Sequence, residues 1–138
     1  METFETLLEK NSPLLKSIKE RGFNEPTEIQ VKSVPVIISG KDVIAGAATG
    51  SGKTLAFASG LVKNVNKDFG IQGLVLTPTR ELAVQVAKEL IKFSHYKNLN
   101  VISVYGGVSI INQIKMLPSA EIVVATPGRV LDHLERKS

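Results

Sequence analysis

The chain has no cysteine, which excludes disulfides and thiolate metal sites and fits a reducing compartment. It has no apolar run long enough to cross a bilayer and no charged-then-apolar leader. A soluble, cytoplasmic protein without a membrane partner is therefore expected. Repeats, linkers and low-complexity stretches are missing too, so the 138 residues make one structural domain at most. What is present is ordinary for a globular chain: 43% hydrophobic and 22% charged residues, enough for a core. Seventeen basic and 13 acidic residues leave a net charge of +4. That suits a polyanionic partner only mildly, because the lysines are scattered, and a solvated basic surface explains it equally well.

Local signals give an element order. Ser12-Pro13 reads as an N-cap followed by proline at the first helical position, with Leu14, Leu15 and Ile18 as the apolar face and Gly22 as the stop. Thr27 can cap a second helix through Ile29, Val31, Val34 and Ile37, in which Pro35 should introduce a kink or tighten the end, with Gly40 closing it. From there strands and helices alternate. Strands are expected at Val43 to Ala45, Gly73 to Thr77, Val101 to Tyr105 and Glu121 to Ala125. Helices are expected after Lys53, from about Arg80 to Phe93, from about Ser109 to Leu117, and from Thr126-Pro127 to about Arg136. Repeated strand–helix units predict an α/β fold, a parallel sheet flanked by helices. Residues 1–40 read as N-terminal helices and 41–138 as the α/β part.

The connection between the first expected strand and its helix reads Ala47-Ala-Thr-Gly-Ser-Gly-Lys-Thr54. Thr49, Gly50, Ser51 and Gly52 are small enough to let main-chain N–H groups turn inward on an anion. The helix N-terminus adds free donors and about half a positive charge. Lys53 would reach the β- and γ-phosphates of a nucleotide, and the Thr54 hydroxyl would take Mg²⁺. The strict phosphate-loop pattern has glycine where this chain has Ala47, and Gly46 does not restore the spacing. A glycine-rich turn that binds nothing is the bland alternative, opposed by the strand before the loop and the helix after it.

Ligands of parallel sheets bind where strands end. After the loop, those ends read Thr77-Pro-Thr-Arg80, Gly106-Gly107 and Thr126-Pro-Gly-Arg129. Either Thr-Pro…Arg alone could be an ordinary capped helix start. Two on one sheet edge make a row of N–H donors and guanidinium groups, which suits a sugar–phosphate backbone contacted without base readout. Gly106 and Gly107 would let such a backbone approach the main chain closely.

These stretches together resemble the DEAD-box RNA helicases, specifically the front part of their first RecA-like domain. Gly22-Phe-Asn-Glu-Pro-Thr-Glu-Ile-Gln30 is similar to the Q motif, and Ala47 to Thr54 to motif I, where alanine at the first place is usual. Pro78-Thr-Arg-Glu-Leu-Ala83 is similar to motif Ia, Gly106-Gly107 to the GG motif and Thr126-Pro-Gly-Arg129 to motif Ib. The resemblance covers essentially the whole chain. It implies an incomplete RecA-like phosphate-loop NTPase domain, with ATP and Mg²⁺ as cofactors and RNA as partner.

By the same resemblance, Gln30 would bind the edges of adenine, since an amide both donates and accepts. Phe23 would stack on the ring, and Phe4 matches an upstream aromatic that supports the pocket. Packing of the N-terminal helices is the competing reading for both rings. Pro26 and Thr27 would shape the turn, and Thr27 would help hold the loop. Thr49, Gly50, Ser51, Gly52, Lys53 and Thr54 would grip the nucleotide, with Lys53 and Thr54 the catalytic contributors. Arg80, Gly106, Gly107, Thr126, Gly128 and Arg129 would line the RNA path. Glu81 and Leu82 look structural, and His95 and His133 match no motif.

The chain contains no Asp-Glu-Ala-Asp and no Ser-Ala-Thr after Arg129. In the family those motifs, with a second RecA-like domain carrying arginine fingers, hold Mg²⁺, orient water and stabilise charge, so these residues alone are expected not to turn over. The strands carrying the absent motifs would neighbour Val43 to Ala45, which leaves that strand in want of partners. Either a missing C-terminal portion or another chain would then complete the sheet. Two rivals stand beside the helicase-fragment reading. One is a catalytically dead module that binds RNA or a protein partner; the other is a different phosphate-loop NTPase such as a small-molecule kinase.

Overall fold

The computed structural model describes residues 3–8, 12–48 and 50–136. It divides into two compact units, each with its own core: residues 1–64 with 92–97, and residues 65–91 with 98–138. The division falls after Asn64, not at residue 40, so the glycine-rich loop and the helix after it group with the N-terminal helices.

The first unit is helical. A short α1 (Phe4–Leu7) precedes α2 (Pro13–Glu20), α3 (Glu28–Ile38) and α4 (Lys53–Asn64). The expected start of α2 is in place: Leu15 N donates to Ser12 Oγ at 3.2 Å, and Gly22 follows the helix at φ +76°. Pro35 lies inside α3, and Gly40 after its end sits at φ +86°. Helix α4 packs on α3. Leu14, Leu15, Ile18, Val34, Ala58 and Val62 are buried in this unit. Gly60 permits the close approach, since a Cβ there would lie 2.6 Å from Ile37 Cγ2. The end of α4 is closed by Lys97, whose Nζ donates to Val62 O at 2.6 Å and Lys63 O at 3.3 Å. Burial pushes the pKa of that ammonium down.

One expected strand is not formed. Residues 41–48 carry no regular structure, and Val43 to Gly46 are exposed, Ile44 fully. The β-branched run has strand composition, but a strand also needs a neighbour to take its N–H and C=O groups. Among the described residues it has none.

The second unit carries the sheet: β1 (Gly73–Leu76), β2 (Val101–Val104) and β3 (Ile122–Ala125), all parallel, in the order β1-β3-β2. Helices α5 (Arg80–Phe93), whose last two residues belong to the first unit together with the 3₁₀ turn His95–Lys97, α6 (Ile110–Met116) and α7 (Pro127–Glu135) follow the three strands, with a 3₁₀ turn at Leu117–Ser119. All four residues of β3 are buried, as an interior strand of a parallel sheet requires. Ile102, Val104, Leu117, Ala120, Val123 and Ala125 form a core cluster against which Val130 packs. At its N-terminal end the buried Glu121 accepts from Asn100 N at 2.6 Å and pairs with Lys67 Nζ at 3.5 Å. The register aligns Leu76, Ala125 and Val104, so the three strands end level.

The Gly60 contact gives a direct test. Gly60→Ala gains about 1 kcal/mol of helix propensity but overpacks against a stiff β-branched side chain, costing about 1–3 kcal/mol. Net destabilisation in urea unfolding is expected, turning to stabilisation in an Ile37→Ala background.

Candidate nucleotide loop and nucleic-acid edge

In the first unit, the segment ahead of α3 is fastened to the glycine-rich loop. Thr27 Oγ1 donates to Ser51 O at 2.6 Å. Gln30 Oε1 accepts from Thr27 N at 2.9 Å, and Gln30 Nε2 donates to Gly52 O at 3.1 Å. Gln30 is only 4% exposed, so these bonds satisfy a buried amide. Gly52 is required twice over. Its φ is +92°, and a Cβ would meet Gln30 Nε2 at 2.3 Å and Thr27 Oγ1 at 2.8 Å. Gly50 also has a positive φ, +81°. Lys53 and Thr54 open α4, and Lys53 Nζ donates to Ala47 O at 2.8 Å. Among the described residues the Ser51 hydroxyl is buried without a hydrogen-bond partner, a polar atom that a bound oxyanion would satisfy. Thr49, expected in the same loop, lies outside the described residues.

The expected ring pair lies elsewhere in this unit. Phe4 is buried and Phe23 is 42% exposed; both line a cavity of about 330 Å³ with Glu5, Ile18, Lys19 and Asn24. Neither Gln30 nor the loop is part of that lining. Phe23 faces Phe93 with ring centroids 6.4 Å apart, and the Arg21 guanidinium sits over both rings, at 5.2 and 4.9 Å.

In the second unit the level strand ends bring four of the six residues expected on the RNA path together, while Arg80 and Gly107 are not part of the shared lining. Gly106, Thr126, Gly128 and Arg129 line one open cavity of about 410 Å³, with Leu131, Asp132 and Glu135. Thr126 occupies the N-cap position of α7 but its side chain makes no capping bond. Gly107 has a φ of +82°, and a Cβ on Gly106 or Gly128 would meet nothing within 4 Å. Arg129 is half tied down. Its Nη1 donates to Gln113 Oε1 at 3.2 Å, its Nη2 to Val108 O at 3.1 Å, and its Nε lies 3.7 Å from Asp132. Those two hydrogen bonds use two of the five N–H donors of a guanidinium. Arg80 lies over the Tyr105 ring at 4.8 Å.

Gln113, Tyr105 and His133 carry no family motif, yet they join these residues. Gln113 Nε2 donates to Tyr105 O at 3.0 Å, and its Oε1 also meets His133 Nε2 at 3.1 Å. Because Arg129 can only donate to that oxygen, His133 Nε2 must carry a proton. The one signal available beforehand was a glutamine in α6 among isoleucines, and it turns out to be buried.

His133 is buried, and its pKa is lowered by that burial first and then by Arg129 and Arg136, against the opposing pull of Asp132. A histidine that resists protonation in the fold binds more protons when unfolded, so stability is full above the unfolded value of about 6.5. Stability should fall as pH drops from 7 through that value towards the lowered folded pKa. The exposed Glu5 and Glu28, whose pKa values are also lowered, act only further down, below 4.5. His133→Asn should flatten the upper part of the pH profile of urea unfolding, and an unchanged profile would contradict the assignment.

Comparison with known proteins gives one consistent result. The family model described as DEAD/DEAH box helicase matches residues 27–138. A probable ATP-dependent RNA helicase of Methanocaldococcus jannaschii is 48% identical over 124 residues, 89% of this chain and 34% of that protein. The RNA helicase CrhR of Synechocystis is 48% identical over 132 residues, 95% of this chain and 26% of that protein. The crystal structure of a DEAD box protein from the hyperthermophile Methanococcus jannaschii superposes with a TM-score of 0.89 at 46% identity, covering 94% of this chain and 36% of the other. The chain thus spans about a third or less of the length of these relatives. The expected parallel sheet with flanking helices is the architecture they share, here as part of a RecA-like domain. No helix among the described residues is long and apolar enough to cross a membrane.

Proposed function

Since this chain belongs to the DEAD/DEAH box helicase family, we propose that it is the nucleotide-gripping and RNA-gripping front of an ATP-dependent RNA helicase. The observation that carries the reading is the pair of bonds fastening the Q-like segment to the phosphate loop, Thr27 to Ser51 and Gln30 to Gly52. They make the adenine selector and the phosphate cradle one mechanical piece. A triphosphate entering the loop offers charged acceptors, which outcompete the neutral Ala47 carbonyl for the Lys53 ammonium. Main-chain N–H groups at the start of α4 and the Ser51 hydroxyl complete the cradle. Thr54 is the residue that would hold Mg²⁺, which when bound neutralises phosphate charge. Gln30 keeps one N–H and one lone pair for an adenine edge once its two internal bonds are counted.

In the second unit Gly106, Thr126, Gly128 and Arg129 would receive a sugar–phosphate backbone, with Gly107 next in the chain to Gly106 and Arg80 on the Tyr105 ring as further contacts. Asp132, which lines the same cavity, is answered by Arg129 and by Arg136 Nε at 3.5 Å. The parent reaction is RNA-dependent ATP hydrolysis coupled to local duplex opening. These 138 residues hold no Asp-Glu-Ala-Asp sequence, so by themselves they bind and do not turn over.

Nucleotide titration of the chain tests the reading. ATP should bind in preference to GTP, Gln30→Ala should abolish the preference, and Lys53→Ala should remove nucleotide binding while leaving RNA binding intact. Equal binding of the two bases would refute the adenine selector. RNA binding without any nucleotide binding would replace it with a pure RNA-binding module.

The reading also includes strands from elsewhere completing the sheet, from a C-terminal portion or from another chain. Among the described residues Val43 and Ile44 are exposed without a strand partner, and β1, hydrogen-bonded there to β3 alone, exposes Leu74 and Leu76. The isolated 138 residues should therefore unfold with a low midpoint in urea. A cooperative transition at high denaturant would contradict the need for further strands.

A further inference from the structure

One side chain in the second unit joins the segments that follow β2 and β3. The Gln113 amide donates to Tyr105 O, next to Gly106, and accepts from Arg129 and from His133. Tyr105 in turn carries the Arg80 guanidinium on its ring. We propose that Gln113, with His133 behind it, is a positioning residue for the nucleic-acid cavity. It holds the Gly106–Gly107 main chain and the Arg129 guanidinium in the arrangement that receives a sugar–phosphate backbone. This rests on the RNA reading given above.

The chemistry singles out an amide. One end must give a proton to a main-chain carbonyl, and the other must take protons from two donors at once. Glutamine does both without net charge. A glutamate would set a negative charge against the Tyr105 carbonyl; a leucine would leave that carbonyl, the Arg129 donor and the His133 N–H unmatched. Without these bonds the arginine is a long chain with many rotamers, and its charge would reach the cavity only part of the time. With them, one edge of the guanidinium is fixed on Gln113 and Val108, its Nε lies 3.7 Å from Asp132, and the largely buried group is held in one place at the wall of the cavity that Arg129 lines. His133 contributes an N–H to the same oxygen from one turn further along α7, locking the amide against a flip.

The test is binding of the whole chain to a labelled oligouridylate across a salt series, in a double-mutant cycle. Gln113→Leu should weaken binding about tenfold, as loss of a hydrogen bond to a charged group does. It should also flatten the slope of log K against log salt by about 0.7, the share of one phosphate on a single strand. Arg129→Gln should do the same, and the double variant should be no worse than either. His133→Phe, which keeps the volume and removes the donor, should act in the same direction and lose its effect in the Arg129→Gln background. It decides the matter if Gln113→Leu fails to fold. Additive losses, or an unchanged salt slope, would overturn the positioning role while leaving the RNA reading in place. No loss from Arg129→Gln, or no binding by the unaltered chain, would overturn that reading and this proposal with it.

Discussion

Strand β3 is hydrogen-bonded along both edges, and everything argued for the second unit follows from its register. Its four residues pair with β1 on one side and β2 on the other without an offset, and the ladder continues one step: Thr77 N donates to Ala125 O and Thr126 N to Val104 O. Thr77, Tyr105 and Thr126 therefore leave the sheet at one level. A slip of one residue would exchange the two buried faces of β3 and put the three strand ends out of level. The glycines and the arginine of the cavity are functional candidates only because this strand brings their loops together.

Each unit also contains a buried glutamine doing the same physical task. Gln30 satisfies the cap of α3 with its oxygen and reaches the phosphate loop with its nitrogen. Gln113 takes two donors on its oxygen and holds the Tyr105 carbonyl with its nitrogen. An unpaired buried amide is costly, so both side chains are pinned by what they join. The result is preorganisation: main chain that would otherwise sample many conformations is held in one arrangement. In the loop, Lys53 adds a different feature, because its ammonium rests on an internal carbonyl that a stronger acceptor can displace.

Much of this was legible in the sequence where the signal is local. Ser12-Pro13, Gly22, Thr27 and Gly40 marked helix ends, and the β-branched runs at 73–77, 101–105 and 121–125 formed strands close to the expected bounds. The run at Val43 to Ala45 had the same composition and formed nothing, because pairing is a property of neighbours and not of the run. The motif residues could be found one by one, and four of those expected to meet RNA do share a cavity. Phe23 and Gln30 were expected at one base, yet Phe23 lines a cavity with Phe4 while Gln30 faces the loop. The roles of Gln113 and Tyr105 were not legible, beyond the oddity of a glutamine among the isoleucines of α6. Their roles depend on contacts across eight and sixteen residues, which no spacing rule anticipates.

The most direct measurement of the central claim, that level strand ends build one nucleic-acid edge, is an amide NMR titration of the chain with a single-stranded RNA. Shift changes should gather at residues 77–80, 105–108 and 126–129 and rise together along one binding curve. Changes confined to one of these loops, or spread over surfaces remote from the three strand ends, would contradict the account.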